Sequence, residues 1–128
     1  MGKSDKWPFE HPKVMLDREF AGLDDWSQKD EHYIHFRNLF KAAYLPGKVD
    51  LKTKYLAGLA VNLIDNCEYC ITYHTWRAIE NGATRDQLLK TADIAVAFGG
   101  AKAAAAASTW MREAINVYDP KYLEEYSR

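Results

Sequence analysis

The chain predicts an all-α bundle of about six helices. Three observations carry this. No segment sustains strand alternation, and apolar residues recur at helical spacing from about residue 12 to residue 117. The breaks between these stretches hold capping residues, Pro or Gly. A length of 128 residues fits one domain with a usable but modest core.

Residues 1–9 read as a loose arm. A short helix from about Pro12 to Phe20 is expected to end near Gly22. Ser27 with Asp30 then offers a start for a second helix, running to about Tyr44 before Pro46-Gly47 breaks the chain. Asp50 caps a third, Leu51 to about Ile64, in which Leu56, Leu59, Ala60 and Leu63 keep a helical spacing. Asp65 and Asn66 interrupt it and are expected to cap a fourth, about Cys67 to Asn81, with Gly82 in the left-handed position beyond. Thr84 with Gln87 forms a capping box for a fifth helix, Arg85 to Phe98. Gly99-Gly100 separates it from a sixth, Ala101 to about Val117. Pro120 ends that pattern, and 119–128 is a polar tail. The alanine run Ala103 to Ala107 signals high helix propensity or a close helix contact, within the chain or between subunits.

Composition excludes several function classes. Lys and Arg total 17 against 18 Asp and Glu, a net charge of -1, which gives no field for nucleic acid and no basic surface for an anionic membrane. No apolar run is long enough to span a bilayer, and Met1 to Lys6 leads into no signal-peptide core. The expected location is the cytoplasm. The two cysteines lie three positions apart, too few and too close for a structural disulfide framework. In a reducing compartment such a pair points to redox chemistry or a metal.

The chemistry gathers at Cys67-Glu68-Tyr69-Cys70 and His74. With about 100° per helical residue, Cys70 lies about 300° and His74 about 340° from Cys67, so all three share one face. Cys70 and His74 are an i, i+4 pair, which lets the imidazole take a thiol proton and steady the thiolate. The break at Asp65-Asn66 puts Cys67 near a helix start, where free N–H groups favour a negative sulfur. The nearby second cysteine can resolve a sulfenic acid or mixed disulfide. Two other readings stay open. Cys67, Cys70 and His74 could be zinc ligands, although His11, His32 and His35 are too distant in sequence to be an evident fourth. Alternatively, the cysteines are small buried residues and His74 a satisfied core histidine. His32 and His35 read as surface or interface residues, and Glu68 points off the cysteine face.

The stretch from Leu45 to about Ile115 resembles the carboxymuconolactone decarboxylase family, in particular its alkylhydroperoxidase D-like branch. The residues that carry the resemblance are Pro46-Gly47, Asp50-Leu51-Lys52-Thr53-Lys54, Cys67-Glu68-Tyr69-Cys70-Ile71-Thr72-Tyr73-His74, Gly82-Ala83-Thr84 and Ala97-Phe98-Gly99-Gly100. It places the family core over 45–117 and implies an all-α unit assembling as a dimer, trimer or hexamer. Decarboxylase members lack the cysteine pair, so their lactone chemistry is not carried over. The cysteine-bearing branch implies a peroxidase of peroxiredoxin type. Cys70 then attacks the hydroperoxide, Cys67 closes the disulfide, and His74 relays the proton. The partners implied are a hydroperoxide or disulfide substrate and a thiol protein or small dithiol as reductant, with no cofactor. The branch's relay also uses a glutamate on the preceding helix, where this chain has Tyr55. A phenol of pKa about 10 is a poor base at neutral pH, but it can hold a water or donate a hydrogen bond. Disulfide exchange is therefore implied more directly than peroxide reduction. The alternative is a non-catalytic oligomer that senses redox state or binds a partner.

Overall fold

A computed structural model describes residues 3–4 and 7–119, with side chains from Glu10 onward. Six helical rods form the body, as the periodicity predicts. At the start, where a loose arm was expected, β1 (Lys3–Ser4) pairs antiparallel with β2 (Trp7–Glu10).

The first two rods depart from expectation. Helix α1 spans Pro12–Lys29, capped by His11, whose side chain accepts from the Lys13 N–H, with Pro12 in the first turn. It runs straight through Gly22, where an added Cβ would meet nothing within 4 Å. An interior glycine costs only about 1 kcal/mol against alanine, too little to end the helix. The break falls instead at Asp30. Its N–H closes α1 on the Trp26 carbonyl, and its carboxylate caps α2 (Glu31–Ala43) through the His32 N–H. No α2 side chain is buried.

Helix α3 (Leu51–Asp65) is capped by Asp50, which accepts from the Thr53 N–H. Its Lys54 donates to the carbonyls of Ala43 and Leu45 at 2.8 and 2.7 Å, satisfying the open C-terminal end of α2 and fixing it on α3. Tyr55, Leu59 and Leu63 face the core. There they meet Ile71 and Ala78 of α4 (Glu68–Glu80) and Leu88, Ala92 and Ala95 of α5 (Arg85–Gly99). The predicted Thr84–Gln87 capping box is present in full.

The last rod is α6 (Ala101–Ala106), a π turn (Ala107–Met111) and α7 (Arg112–Tyr118) in sequence. Buried positions run 103, 106, 111, 114 and 115, and the step of five marks the π turn. Sequence periodicity misses it because Trp110 and Met111 are both apolar. The alanine stripe makes an internal contact, since a Cβ on Gly99 would lie 3.0 Å from that of Ala103 and 3.2 Å from Ile64. Among the described residues no helix is long and apolar enough to cross a membrane. Residues 120–128 of the predicted tail lie outside the described residues.

Candidate redox site

The site forms where α3 turns into α4. Asn66 ends α3 in the left-handed region at φ 59°, a conformation asparagine tolerates better than most residues. Neither Asp65 nor Asn66 caps α4. Cys67 does, and its Sγ accepts from the Cys70 N–H at 3.4 Å. The helix therefore begins at Glu68, one residue later than expected. Cys67 and Cys70 form a disulfide with Cα atoms 5.2 Å apart. Both are partly accessible, so the bond is not sealed in the core. A sulfur at the cap faces the free N–H groups of the first turn, which stabilise a thiolate once the bond is reduced.

His74 stands one turn beyond Cys70 and is only 4% exposed. Its Nδ1 lies 2.9 Å from the Cys70 carbonyl oxygen, so in the disulfide state the ring meets Cys70 through its backbone. Burial pulls the imidazole pKa below 6.5, and the Cys70 carbonyl opposes this in part. The other nitrogen, Nε2, is hydrogen-bonded to the hydroxyl of Tyr44, which follows the last residue of α2. Asn62 of α3 closes the ring from the Nδ1 side. In the orientation that satisfies its amide, its nitrogen donates to Nδ1 and to the Gly58 carbonyl at 2.6 and 3.0 Å, with the Cys70 carbonyl 3.2 Å away. The arrangement requires a glycine at 58. A Cβ there would come within 2.5 Å of His74 Nε2 and 2.6 Å of the Tyr44 oxygen.

Tyr55 is 2% exposed, and its hydroxyl accepts from Arg77 Nε at 3.2 Å. Its ring stacks on Tyr44 at 4.5 Å and meets His74 edge-on at 6.0 Å. Tyr55 therefore forms part of the wall around His74, while the phenol that touches the imidazole is Tyr44. Burial of Arg77 works against its charge, but the hydrogen bonds to Tyr55 and Glu80 outweigh that and keep the guanidinium protonated. Tyr73 completes the wall, its phenol pushed up to about 12 by burial and by Tyr55.

The structure thus brings Cys67, Cys70, His74 and Tyr55 into one region. His32 pairs with Asp30 on the exposed start of α2, and His35 is also exposed there. Among the described residues no three of His, Cys, Asp and Glu gather as a metal site requires. Sequence reasoning misses Tyr44, Asn62 and Gly58. The available signal was Gly58 itself, since a lone glycine inside a helical pattern usually has a packing reason.

An all-α bundle with a dithiol–disulfide pair at a helix start defines the class of this protein. The profile of the carboxymuconolactone decarboxylase family matches residues 30–113, and the chain belongs to that family. A carboxymuconolactone decarboxylase family protein of Legionella pneumophila is similar in structure. It shows 28% identity and a TM-score of 0.72, with 98% of this chain and 100% of that one covered. A family member from Thermotoga maritima, for which a part in the antioxidative response has been suggested, is similar at 29% identity and a TM-score of 0.72. Coverage there is 89% of this chain and 92% of that one. An uncharacterised protein of Cupriavidus necator is 33% identical over 73 residues, 57% of this chain, and the match spans 65% of that relative's length.

Proposed function

We propose that this protein is a thiol–disulfide oxidoreductase that reduces hydroperoxides with Cys70 and Cys67. The observation that carries the reading is the Cys67–Cys70 disulfide, accessible at the start of α4 with His74 packed behind Cys70. In the reduced enzyme the Cys70 thiolate attacks a peroxide oxygen. An S–O bond forms, the O–O bond breaks, and the departing alkoxide takes the proton that Cys70 gave up. Cys67 then attacks the sulfenic sulfur, the S–S bond forms, and water leaves with the Cys67 proton. Two thiols and a hydroperoxide become a disulfide, an alcohol and water. A thiol protein or small dithiol restores the pair. The antioxidative role suggested for the Thermotoga relative agrees with this chemistry.

A redox-sensing or partner-binding oligomer is the second reading. It is favoured by the large apolar side chains exposed on α2 and α5, Leu39 at 69% and Phe98 at 82%. Peroxide consumption with excess dithiol separates the two. Turnover that disappears in Cys70→Ser, with mass spectrometry showing the disulfide reform after each equivalent of peroxide, is expected. A disulfide that forms with no catalytic consumption of peroxide or exchange with dithiols overturns the enzyme reading.

A further inference from the structure

His74 is held at both ring nitrogens by side chains that lie outside the cysteine motif. Tyr44 places its hydroxyl on Nε2, and the Asn62 amide nitrogen faces Nδ1 at 2.6 Å. An amide nitrogen only donates, so the Nδ1 it faces is the lone-pair nitrogen. The neutral ring then carries its proton on Nε2 and donates it to the Tyr44 oxygen. This leaves the phenol's own proton free to point away. When the ring gains a proton at Nδ1, the Cys70 carbonyl at 2.9 Å is in place to accept it. Half a turn of the Asn62 amide adds its oxygen as a second acceptor. Both charge states of the imidazole are therefore satisfied, the charged one with the Asn62 amide turned over.

The surroundings are built for this contact. Gly58 is the bare spot on α3 over which the Tyr44 hydroxyl and His74 meet. Lys54 holds the chain on either side of Tyr44 through the Ala43 and Leu45 carbonyls. The Tyr44 ring is stacked on Tyr55 and packed on Phe40 at 4.8 Å. Tyr44 is partly exposed while His74 is buried. The titratable groups facing the imidazole are three phenols, Tyr44 from the end of α2, Tyr55 from α3 and Tyr73 from α4. The Arg77 guanidinium, which donates to the Tyr55 hydroxyl, is also engaged by Glu80.

We propose that Tyr44 and Asn62 are positioning residues of the dithiol site, forming with His74 an amide–imidazole–phenol relay that moves a proton between Cys70 and solvent. The proposal rests on the dithiol reading above. As the Cys70 S–H bond breaks, its proton enters the ring at Nδ1, the nitrogen 2.9 Å from the Cys70 carbonyl. The Nε2 proton passes to the Tyr44 oxygen, and the phenol releases its own proton to water or to the departing alkoxide. No electrons change hands, and the reverse transfers reset the ring.

The test uses full-length protein carrying Cys67→Ser, which leaves Cys70 as the one thiol. Alkylation by iodoacetamide is followed from acid to alkaline pH with and without Tyr44→Phe. The phenylalanine keeps the ring stack and removes only the hydroxyl. The neutral-pH rate is expected to fall about tenfold, the scale of one lost hydrogen bond to the charged ring, with the profile moved to higher pH. Nitrogen chemical shifts of His74 are the second readout. The wild-type neutral ring is expected to hold its proton on Nε2, and Asn62→Leu to move it to Nδ1. A folded Tyr44→Phe protein with an unchanged profile, or a wild-type ring protonated on Nδ1, overturns the relay. Should Tyr44→Phe fail to fold, the wild-type nitrogen shifts decide alone. A wild type that shows these shifts but consumes no peroxide overturns the peroxidase reading and leaves the relay standing.

Discussion

A histidine that folding keeps neutral binds fewer protons folded than unfolded, and stability then depends on pH. Burial lowers the His74 pKa below 6.5, so the ring's contribution is complete above 6.5 and is lost as pH falls from there through the lowered folded value. Urea denaturation at slightly alkaline and mildly acid pH is expected to show a loss on acidification that His74→Gln reduces. Tyr55 yields a second expectation. If a carboxylate at that position relays the thiol proton, Tyr55→Glu raises hydroperoxide turnover by about 10²-fold or more, within the range usual for a general base, and leaves exchange with a small dithiol little changed. Arg77, 3.2 Å from the Tyr55 oxygen, supplies the countercharge that a buried carboxylate needs. A steady-state peroxide assay and a dithiol-exchange assay check the two halves, with circular dichroism showing that the variant is folded. At this scale the sequence exposes the residues that recur as a motif, Cys67, Cys70 and His74. Tyr44 and Asn62 stay hidden, because they reach His74 only once α2 and α3 are folded against each other.

Helix starts were legible and helix ends less so. Asp50 and Thr84 cap as their side-chain chemistry predicts, whereas the second helix starts at Asp30 and not at Ser27, whose hydroxyl stays within α1 and donates to the Leu23 carbonyl. Gly22 was misread as a break because an exposed glycine inside a helix costs too little to stop it. The start of α4 was displaced by one residue because a cysteine takes the capping role usually filled by Ser, Thr, Asp or Asn. Gly58 tests how helix packing sets the site. In an exposed helix Gly→Ala adds up to about 1 kcal/mol of stability. Here the added methyl meets His74 and Tyr44, and overpacking of this kind costs about 1–3 kcal/mol. Gly58→Ala is expected to destabilise the protein in urea and to slow Cys70 alkylation at neutral pH. A stabilised, fully reactive variant would show that the two rings move aside freely.

At the scale of the whole molecule, several large apolar side chains among the described residues are left uncovered. Phe36, Leu39, Ile94 and Phe98 are 60%, 69%, 60% and 82% exposed, and Val61 and Ile64 of α3 are open as well. Side chains of this size gathered on a small protein mark contact surfaces. The chain is expected to form a homo-oligomer, measured by light scattering across dilution, with Phe98→Glu or Leu39→Glu lowering the mass. A monomer at micromolar concentration counts against it. The fold class followed from composition and periodicity alone. These unburied faces did not, because helical spacing marks a face as apolar without saying what covers it.

The π turn at Ala107–Met111 gives the last rod one residue more than an α-helix needs. That surplus makes the rod's numbering elastic. Removing a single residue from the turn restores regular α-helical bonding and leaves Met111, Ala114 and Ile115 on the same inward face. Ser108 is exposed there and its hydroxyl donates to the Ala105 carbonyl one turn back, which makes it the residue to delete. A chain shortened at Ser108 is expected to keep its helical content and redox chemistry, whereas the same deletion within α5 rotates half that helix by about 100° and turns Ala95 out of the core. Thermal melts of the two deletions read the difference directly. Length variation is thus absorbed at one place in this bundle, and a one-residue gap in an alignment across 107–111 would leave the fold intact.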